Sequence, residues 1–231
     1  MVSKQRLATA GGSGNLPLVI LGSASPRRRE LLGHIVDHEV VLPDFEEIPE
    51  KEEIPDDYVI RNAAGKAASV IQKMAGRATN ASPAGKNVLV ITCDTIVVIG
   101  QQILEKPKNE ADACRMLGEL SGKTHRVVSG VCLTLLGLPD SAAAAHHGAP
   151  ETLNAKTFTV STAVTIKHLS IPEIATYVAT GEPMDKAGSY AAQGIGAYMI
   201  ERIDGSYSNV VGLPLTELVQ AIRNDFNVHL W

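Results

Sequence analysis

Leu18-Val-Ile-Leu-Gly-Ser-Ala-Ser-Pro-Arg-Arg-Arg-Glu-Leu-Leu32 is the stretch from which the rest of this chain is read. Four aliphatic residues, Leu18 to Leu21, make a short buried strand. Gly22, Ser23 and Ser25 turn the chain, and Pro26 takes the first turn of a helix that runs through Leu31 and Leu32 to about Gly33. Arg27, Arg28 and Arg29 crowd the start of that helix. Cations are unfavourable there unless an anion offsets them, because the helix dipole is positive at its N-terminus. The free backbone N–H groups attract anions, and a guanidinium grips phosphate oxygens through its rigid fork of donors. Two readings stand side by side: a strand–turn–helix unit that holds a polyphosphate, and an ordinary Ser-Pro cap with a solvated basic turn.

The pattern around this unit alternates strand and helix. A second strand is expected over His38–Leu42, an acidic turn-rich stretch over Pro43–Pro55, a long helix from Asp56 to about Met74, and a loop over Thr79–Lys86. Val88-Leu-Val-Ile91 reads as a central strand covered on both faces. Ile96–Ile99 continues it or pairs beside it after a polar break at Asp94, and Gly100 to Gln102 turns the chain. A helix over Lys108–Leu120 and a strand over His125–Leu136 follow. Gly137 to Glu151 reads as a variable surface excursion, and Phe158–Ile166 alternates as a strand. Ser170 and Glu173 form a capping box for the next helix. Gly181–Gly196 is polar and glycine-rich, Ala197–Ile203 reads as a strand, Gly205–Gly212 as a polar loop, and Pro214–Ile222 as a terminal helix stopping before Asp225. Alternating elements with hairpin character midway predict an α/β fold on a mixed sheet.

Composition narrows the function classes. With 231 residues, 45 % of them hydrophobic and 20 % charged, the chain suits one large domain or two small ones. A net charge of -4 gives no support to a general binder of polymeric nucleic acid or of anionic membranes. Cys93, Cys114 and Cys132 make no zinc pattern and read as free thiols, which points to a reducing, cytoplasmic setting. No apolar run is long enough to span a bilayer, and Met1–Asn15 reads as a loose tail without the apolar segment of a secretory signal. The first strand is not followed by GxGxxG, and Gly11-Gly-Ser-Gly14 precedes that strand without a GK[ST] ending, so dinucleotide-binding and P-loop readings are disfavoured. The seven histidines form no metal spacing, and His146-His147 in an alanine-rich stretch reads as exposed.

The chemistry-bearing candidates lie at element ends. Asp94 closes a strongly apolar strand, where α/β proteins build their sites, and can hold a divalent cation or orient a water. Lys106, in Glu105-Lys106-Pro107, can meet a phosphate as a point charge or simply sit in a surface turn. Lys66 lies within the second helix among alanines, where a solvated lysine is the plain alternative. Glu46 and Glu47 follow a strand, as metal ligands or as a solvated acidic turn. The segment from Glu182 to Gly194 concentrates Asp185, Lys186, Tyr190 and Gln193 in a stretch that is costly to order. An amide such as that of Gln193 offers the donor and acceptor that a nucleobase edge requires. Ser23 and Ser25 lack a GxSxG setting, so phosphate binding is their simpler role.

Taken together, Gly22-Ser-Ala-Ser-Pro-Arg-Arg-Arg-Glu-Leu-Leu32, Asp94-Thr-Ile-Val-Val98, Glu105-Lys-Pro107, Leu120-Ser-Gly-Lys-Thr-His125, Asp185-Lys-Ala-Gly-Ser-Tyr190 with Gln193-Gly194, and Gly205-Ser-Tyr207 with Val211-Gly-Leu-Pro-Leu215 resemble the Maf-like nucleoside triphosphate pyrophosphatases. They occur in family order from about Leu18 to the terminal helix. The resemblance implies a tail over residues 1–16 and one domain over 17–231 with an insertion near 137–155. It implies a strongly bent mixed sheet flanked by helices, in two lobes with an active cleft between them. It also implies hydrolysis of a nucleoside triphosphate to the monophosphate and pyrophosphate, with Mg²⁺ or Mn²⁺. The form around Asp185-Lys186 and Gln193 is similar to the dTTP/UTP branch rather than the 7-methyl-GTP branch. Carried over residue by residue, Ser23, Arg27, Arg28, Lys66 and Lys106 match phosphate contacts, Asp94 the essential acid, Glu47 a second carboxylate for the metal, Asp185 and Lys186 the substrate side, and Gln193 the site glutamine near the base or the metal–water network. A homodimer and a part in division control or in clearing modified nucleotides are further family expectations. A nucleotide-sensing module is the non-enzymatic alternative.

Overall fold

The computed structural model describes residues 16–75, 87–137 and 150–230. The expectations for the N-terminal tail, the Thr79–Lys86 loop and the bulk of the excursion after Gly137, His146 and His147 included, lie outside the described residues. Among the described residues, β1 (Leu18–Gly22), β2 (Glu39–Val40), β3 (Val88–Ile99), β4 (Gln102–Leu104), β5 (Thr124–Gly137), β6 (Glu151–Ile166) and β7 (Ile200–Asp204) form one mixed sheet. Its order is β2-β1-β3-β5-β6-β7, with β4 also on β3. β1 runs parallel to β2 and β3, and the other pairs are antiparallel. Helices α1 (Pro26–Gly33), α2 (Pro55–Ala75), α3 (Glu110–Leu120), α4 (Ile171–Val178), α5 (Tyr207–Val211) and α6 (Leu215–Phe226) flank the sheet.

Strand alternation assigns the two faces of β3. Val88 and Val90 pack with Val70 and Met74 of α2, and Ile96 and Val98 pack with Tyr58 and Val59 of the same helix. Thr92 and Asp94 share that face: the Thr92 hydroxyl donates to the Ala63 carbonyl at 2.7 Å. Leu89, Ile91 and Cys93 point the other way, into a core with Leu31 and Leu32 of α1 and Leu218, Ile222 and Phe226 of α6. Both faces are covered, as the unbroken apolar run predicts.

The polar break expected at Asp94 does not interrupt the strand: β3 is continuous over 12 residues. What changes there is its neighbour. β5 holds one edge of β3 from Val88 to Val98. On the other edge β1 pairs with Val88–Thr92, and β4 pairs with Val97–Ile99. Between them the edge at 93–96 carries no strand among the described residues, so the sheet forks beside Asp94. Other boundaries also differ from expectation. The His38–Leu42 strand shrinks to β2, a two-residue pairing. The Phe158 strand starts earlier, at Glu151, because β5 supplies partners along that length. The Ala197 strand begins only at Ile200, where β6 offers a partner at Ile166, and a 3₁₀ turn over Ile195–Met199 precedes it. The supposed loop Gly205–Gly212 contains α5, five residues capped by the Ser206 side chain and too short to show a period. α6 continues to Phe226, whose ring joins the core. The Ser170–Glu173 capping box forms as read.

Gly130 sets how closely α2 lies on the sheet. It pairs across from Asp94, and a Cβ there would run into the Val59 carbonyl and come 2.8 Å from the Ile60 nitrogen. The helix backbone therefore rests directly on β5. Gly130→Ala should lower the free energy of unfolding by about 1–3 kcal/mol, the usual cost of overpacking a tight contact. Urea denaturation of the two proteins checks this; an unchanged midpoint would mean that α2 does not press on that residue.

Candidate active site

The fork in the sheet is also where β1 hands over to α1. Ser25 caps the helix by accepting from the Arg28 N–H, Pro26 fills its first turn, and no acidic side chain occupies that turn. Ser23 accepts from the Ser25 N–H at 3.2 Å. The adjacent arginines diverge, as neighbours on a helix must. Arg27 meets the exposed Asp185 carboxylate at 3.4 Å. Arg28 turns inward and donates to the Gly212 carbonyl at 2.7 Å, the Thr95 hydroxyl at 2.9 Å and the Ser23 hydroxyl at 3.3 Å. Thr95 in turn lies 2.8 Å from the Ser129 hydroxyl. Arg28 thereby ties α1, β3 and the end of α5 into one corner.

From the opposite face, α2 presents Tyr58, Asn62 and Lys66, spaced four apart and so stacked on one side of the helix. The Lys66 ammonium is 2.8 Å from Asp94 Oδ1 and 2.6 Å from Glu47 Oε1. Asn62 donates to Asp94 Oδ2 at 2.9 Å, and Tyr58 donates to Glu105 Oε1 at 2.6 Å. Lys66 and Asp94 are 6 % and 4 % exposed, so this is a buried ion pair rather than a surface one. Burial pushes the Asp94 carboxyl upward, but the Lys66 charge and hydrogen bond, Arg28 and Asn62 outweigh it and hold the group below the ordinary aspartate value. Asp94 is thus ionised at neutral pH.

The third wall is the segment after α4. The Gly188 N–H donates to the Glu105 carbonyl at 3.1 Å, which fastens this segment to the end of β4. Lys186 pairs with Asp185 and donates to the Glu182 carbonyl. A cavity of about 620 Å³ opens between the three walls. Ser23, Arg27, Arg28, Glu47, Lys66, Asp94, Lys106, Asp185, Lys186 and Gln193 all line it, so the residues carried over from the family resemblance face one space. Glu46 is not among the lining residues. Four residues went unremarked in the sequence as parts of a site: Asn62, Tyr58, Thr95 and Glu105. The readable signal was polar-tipped Tyr58, Asn62 and Lys66 at helical spacing on a face that otherwise buries Val59, Ala63 and Val70.

The model of the Maf-like protein family matches residues 18–225. The chain belongs to this family. It is similar to the dTTP/UTP pyrophosphatase of Geotalea uraniireducens (strain Rf4), with 45 % identity over 206 residues, covering 89 % of this chain and 93 % of the relative. The protein of the same name from Vibrio cholerae is 44 % identical over 206 residues, covering 89 % and 96 %. That from Sphingopyxis alaskensis is 42 % identical over 204 residues, covering 87 % and 93 %.

A buried aromatic pair meets the cavity wall of this Maf-like chain at Tyr190. His125 Nε2 is 2.8 Å from the Tyr190 hydroxyl, and the rings meet edge to face. His125 Nδ1 finds no partner among the described residues, so protonation would bury a second N–H without an acceptor. Burial lowers the His125 pKa to about 4. Between that value and the ordinary 6.5, the unfolded chain binds a proton that the folded chain refuses, so stability rises with pH across this window. His125→Gln, which cannot titrate, should flatten the loss of stability between about pH 6.5 and 4 by about 3 kcal/mol, the worth of 2–3 pKa units. Denaturation midpoints measured across that range decide; parallel curves for the two proteins would show that His125 titrates normally.

Proposed function

We propose that this chain is a nucleoside triphosphate pyrophosphatase that hydrolyses dTTP and UTP to the nucleoside monophosphate and pyrophosphate. The observation that carries the reading is the convergence of the buried Lys66–Asp94 pair with the exposed Glu47 carboxylate beside the basic start of α1, in a cavity of nucleotide size. The names and full-length coverage of the relatives support the substrate class. In this reading the α1 N–H groups, Ser23, Arg27, Lys106 and Lys186 take the phosphate oxygens. Arg28 spends three of its donors on the protein and offers the rest to the ligand. Gln193 reads the edge of the base.

The donor chemistry fits a divalent cation. Among the described residues no three acidic, histidine or cysteine side chains gather, but Asp94 and Glu47 converge on one ammonium. Magnesium is commonly held by one or two carboxylates together with substrate phosphates, and those two carboxylates would hold it here. When bound, Mg²⁺ or Mn²⁺ supplies neutralisation of phosphate charge and a more acidic water. The chain's own work is then positional and electrostatic. Asp94, kept ionised, accepts the proton of a water whose oxygen bonds to the α-phosphorus as the bridging P–O bond to pyrophosphate breaks. Its oxygens keep acceptor capacity beyond Lys66 and Asn62. A base held at low pKa is weak, so the larger share of the barrier falls to Arg27, Lys66 and Lys106, which oppose the charge growing on the leaving group.

The same reading includes a sheet bent around the cavity, with a lobe on either side of the fork, and a homodimer. It also includes work in the cytoplasm, where soluble nucleotides meet a chain whose three cysteines are free. Among the described residues no helix is long and apolar enough to cross a membrane.

Product identification tests the reaction. With Mg²⁺ or Mn²⁺, dTTP and UTP should release pyrophosphate rather than orthophosphate, faster than CTP or 7-methyl-GTP. Orthophosphate release, or preference for the methylated purine, would overturn the assignment, and nucleotide binding without any turnover would favour a sensing module. Asp94→Asn should cut turnover by at least about a hundredfold, as removal of a general base does, and should lower the melting temperature while keeping one cooperative transition, since Lys66 loses a buried partner but keeps Glu47.

A further inference from the structure

Gln193 sits in a segment with little regular backbone structure to hold it. Two bonded side chains outside the cavity lining hold the backbone on both sides of it. The Glu182 carboxylate accepts from the Ile195 N–H at 3.0 Å through one oxygen and from the Gly196 N–H at 2.8 Å through the other. The second oxygen also accepts from the buried Tyr177 hydroxyl at 2.8 Å. Tyr177 accepts in turn from the Ala191 N–H at 3.2 Å. Three backbone N–H groups, two residues before Gln193 and two and three residues after it, are thus anchored on one Glu182–Tyr177 unit. Gly194 takes φ 102° and ψ −152°, a conformation essentially restricted to glycine, and a Cβ there would collide with Glu182 Oε1. A side chain at Gly194 would be strained by the backbone and would push Glu182 off the bonds that hold this turn.

We infer that Glu182, together with Tyr177, is the positioning device that fixes the Gln193 amide against the nucleobase, and so sets which base the enzyme accepts. The inference rests on the reading of Gln193 as the base contact. Glu182 itself does not line the cavity; it acts through backbone bonds. Its role is to discriminate rather than to drive chemistry, because Asp94, Lys66 and Glu47 stand on other elements. A carboxylate suits the task better than an amide. Ile195, Gly196 and Tyr177 present three donors, and a carboxylate meets them all as acceptor, whereas an amide turns its NH₂ toward at least one of them.

The test compares kcat and KM for dTTP and dCTP in the wild-type protein, Glu182→Gln, Tyr177→Phe, Gln193→Ala and the Glu182→Gln/Gln193→Ala double variant. Glu182→Gln is expected to lower the dTTP-over-dCTP ratio of kcat/KM by about tenfold, through KM for dTTP, with kcat within about twofold of wild type. Tyr177→Phe, which removes one hydroxyl and keeps the ring in the core, should move the ratio in the same direction. The double variant should discriminate no worse than Gln193→Ala alone, since residues acting through one contact are not additive. If Gln193→Ala lowers the ratio while Glu182→Gln and Tyr177→Phe leave it unchanged, the positioning role is overturned and the base contact stands. A double variant with the summed loss, or a Glu182→Gln defect confined to kcat, overturns it too. If Gln193→Ala leaves the ratio unchanged, the base contact fails and the inference falls with it.

Discussion

The Lys66–Asp94 pair is the constraint from which the rest of this molecule follows. Withdrawing two charges from water costs several kcal/mol for each, and the attraction between them offsets this only when geometry and further hydrogen bonds are good. Here Asp94 receives Lys66 on one oxygen and Asn62 on the other, and Lys66 reaches a second carboxylate at Glu47. Those bonds require α2 to lie on the sheet at close range and in one rotation. Gly130 permits the range, the Thr92–Ala63 hydrogen bond fixes the height, and Tyr58 with Val59, Val70 and Met74 fixes the rotation by burying the same helix face. The pair is weak as a source of net stability. It is strong as a reason for a single arrangement, because any slip of α2 leaves a buried charge without its partner.

The fork in the sheet gives that arrangement an opening. A continuous ladder on both edges of β3 would have covered Asp94 on every side. β1 instead leaves the edge at Thr92 and β4 joins it only at Val97, so the intervening carboxylate is walled by side chains and loops rather than by a strand. The departing strand runs straight into α1 and delivers helix N–H groups and two arginines to the gap. The arriving strand delivers Glu105 and Lys106. Cavity-lining groups from distant parts of the sequence meet because two strands share one edge.

Much of this was legible in the sequence, and for identifiable reasons. The apolar run before Asp94 and the arginines after Pro26 each contradict a simple structural role: one puts a carboxylate at the end of a core strand, the other puts cations at the wrong end of a helix. Contradictions of that kind survive without coordinates. Asn62 was missed because a single asparagine in a helix raises no conflict by itself; only its register with Lys66, across a turn, marks it. Glu182 was missed because two of its three partners are backbone N–H groups, which carry no sequence signal. α5 escaped because five residues are too few to display a helical period, although Asn209, buried and bonded to the Val127 and Val160 carbonyls, holds it to the sheet. Whether Ile96–Ile99 continues the Val88 strand or pairs beside it stayed open in the sequence, and the structure shows continuation, because pairing partners, rather than local propensity, decide where a strand ends.

Charge in the cavity explains how so many cations can be kept close together before a substrate arrives. Five cationic side chains line it, and four acidic ones stand among them. Lys66 is held by Asp94 and Glu47, and Arg27 and Lys186 by Asp185. The acids are not equivalent. Asp94 is buried and cannot leave, whereas Asp185 is largely exposed and bound to its partners at a solvent-screened surface, where such pairs contribute little. A triphosphate competing for Arg27 and Lys186 therefore displaces a weak partner, while one competing for Lys66 meets a strong one. The single excess positive charge is far less than a triphosphate carries. On the proposed function, a divalent cation entering with the nucleotide would complete the balance. The two carboxylates gathered at Lys66 have the chemistry to receive it.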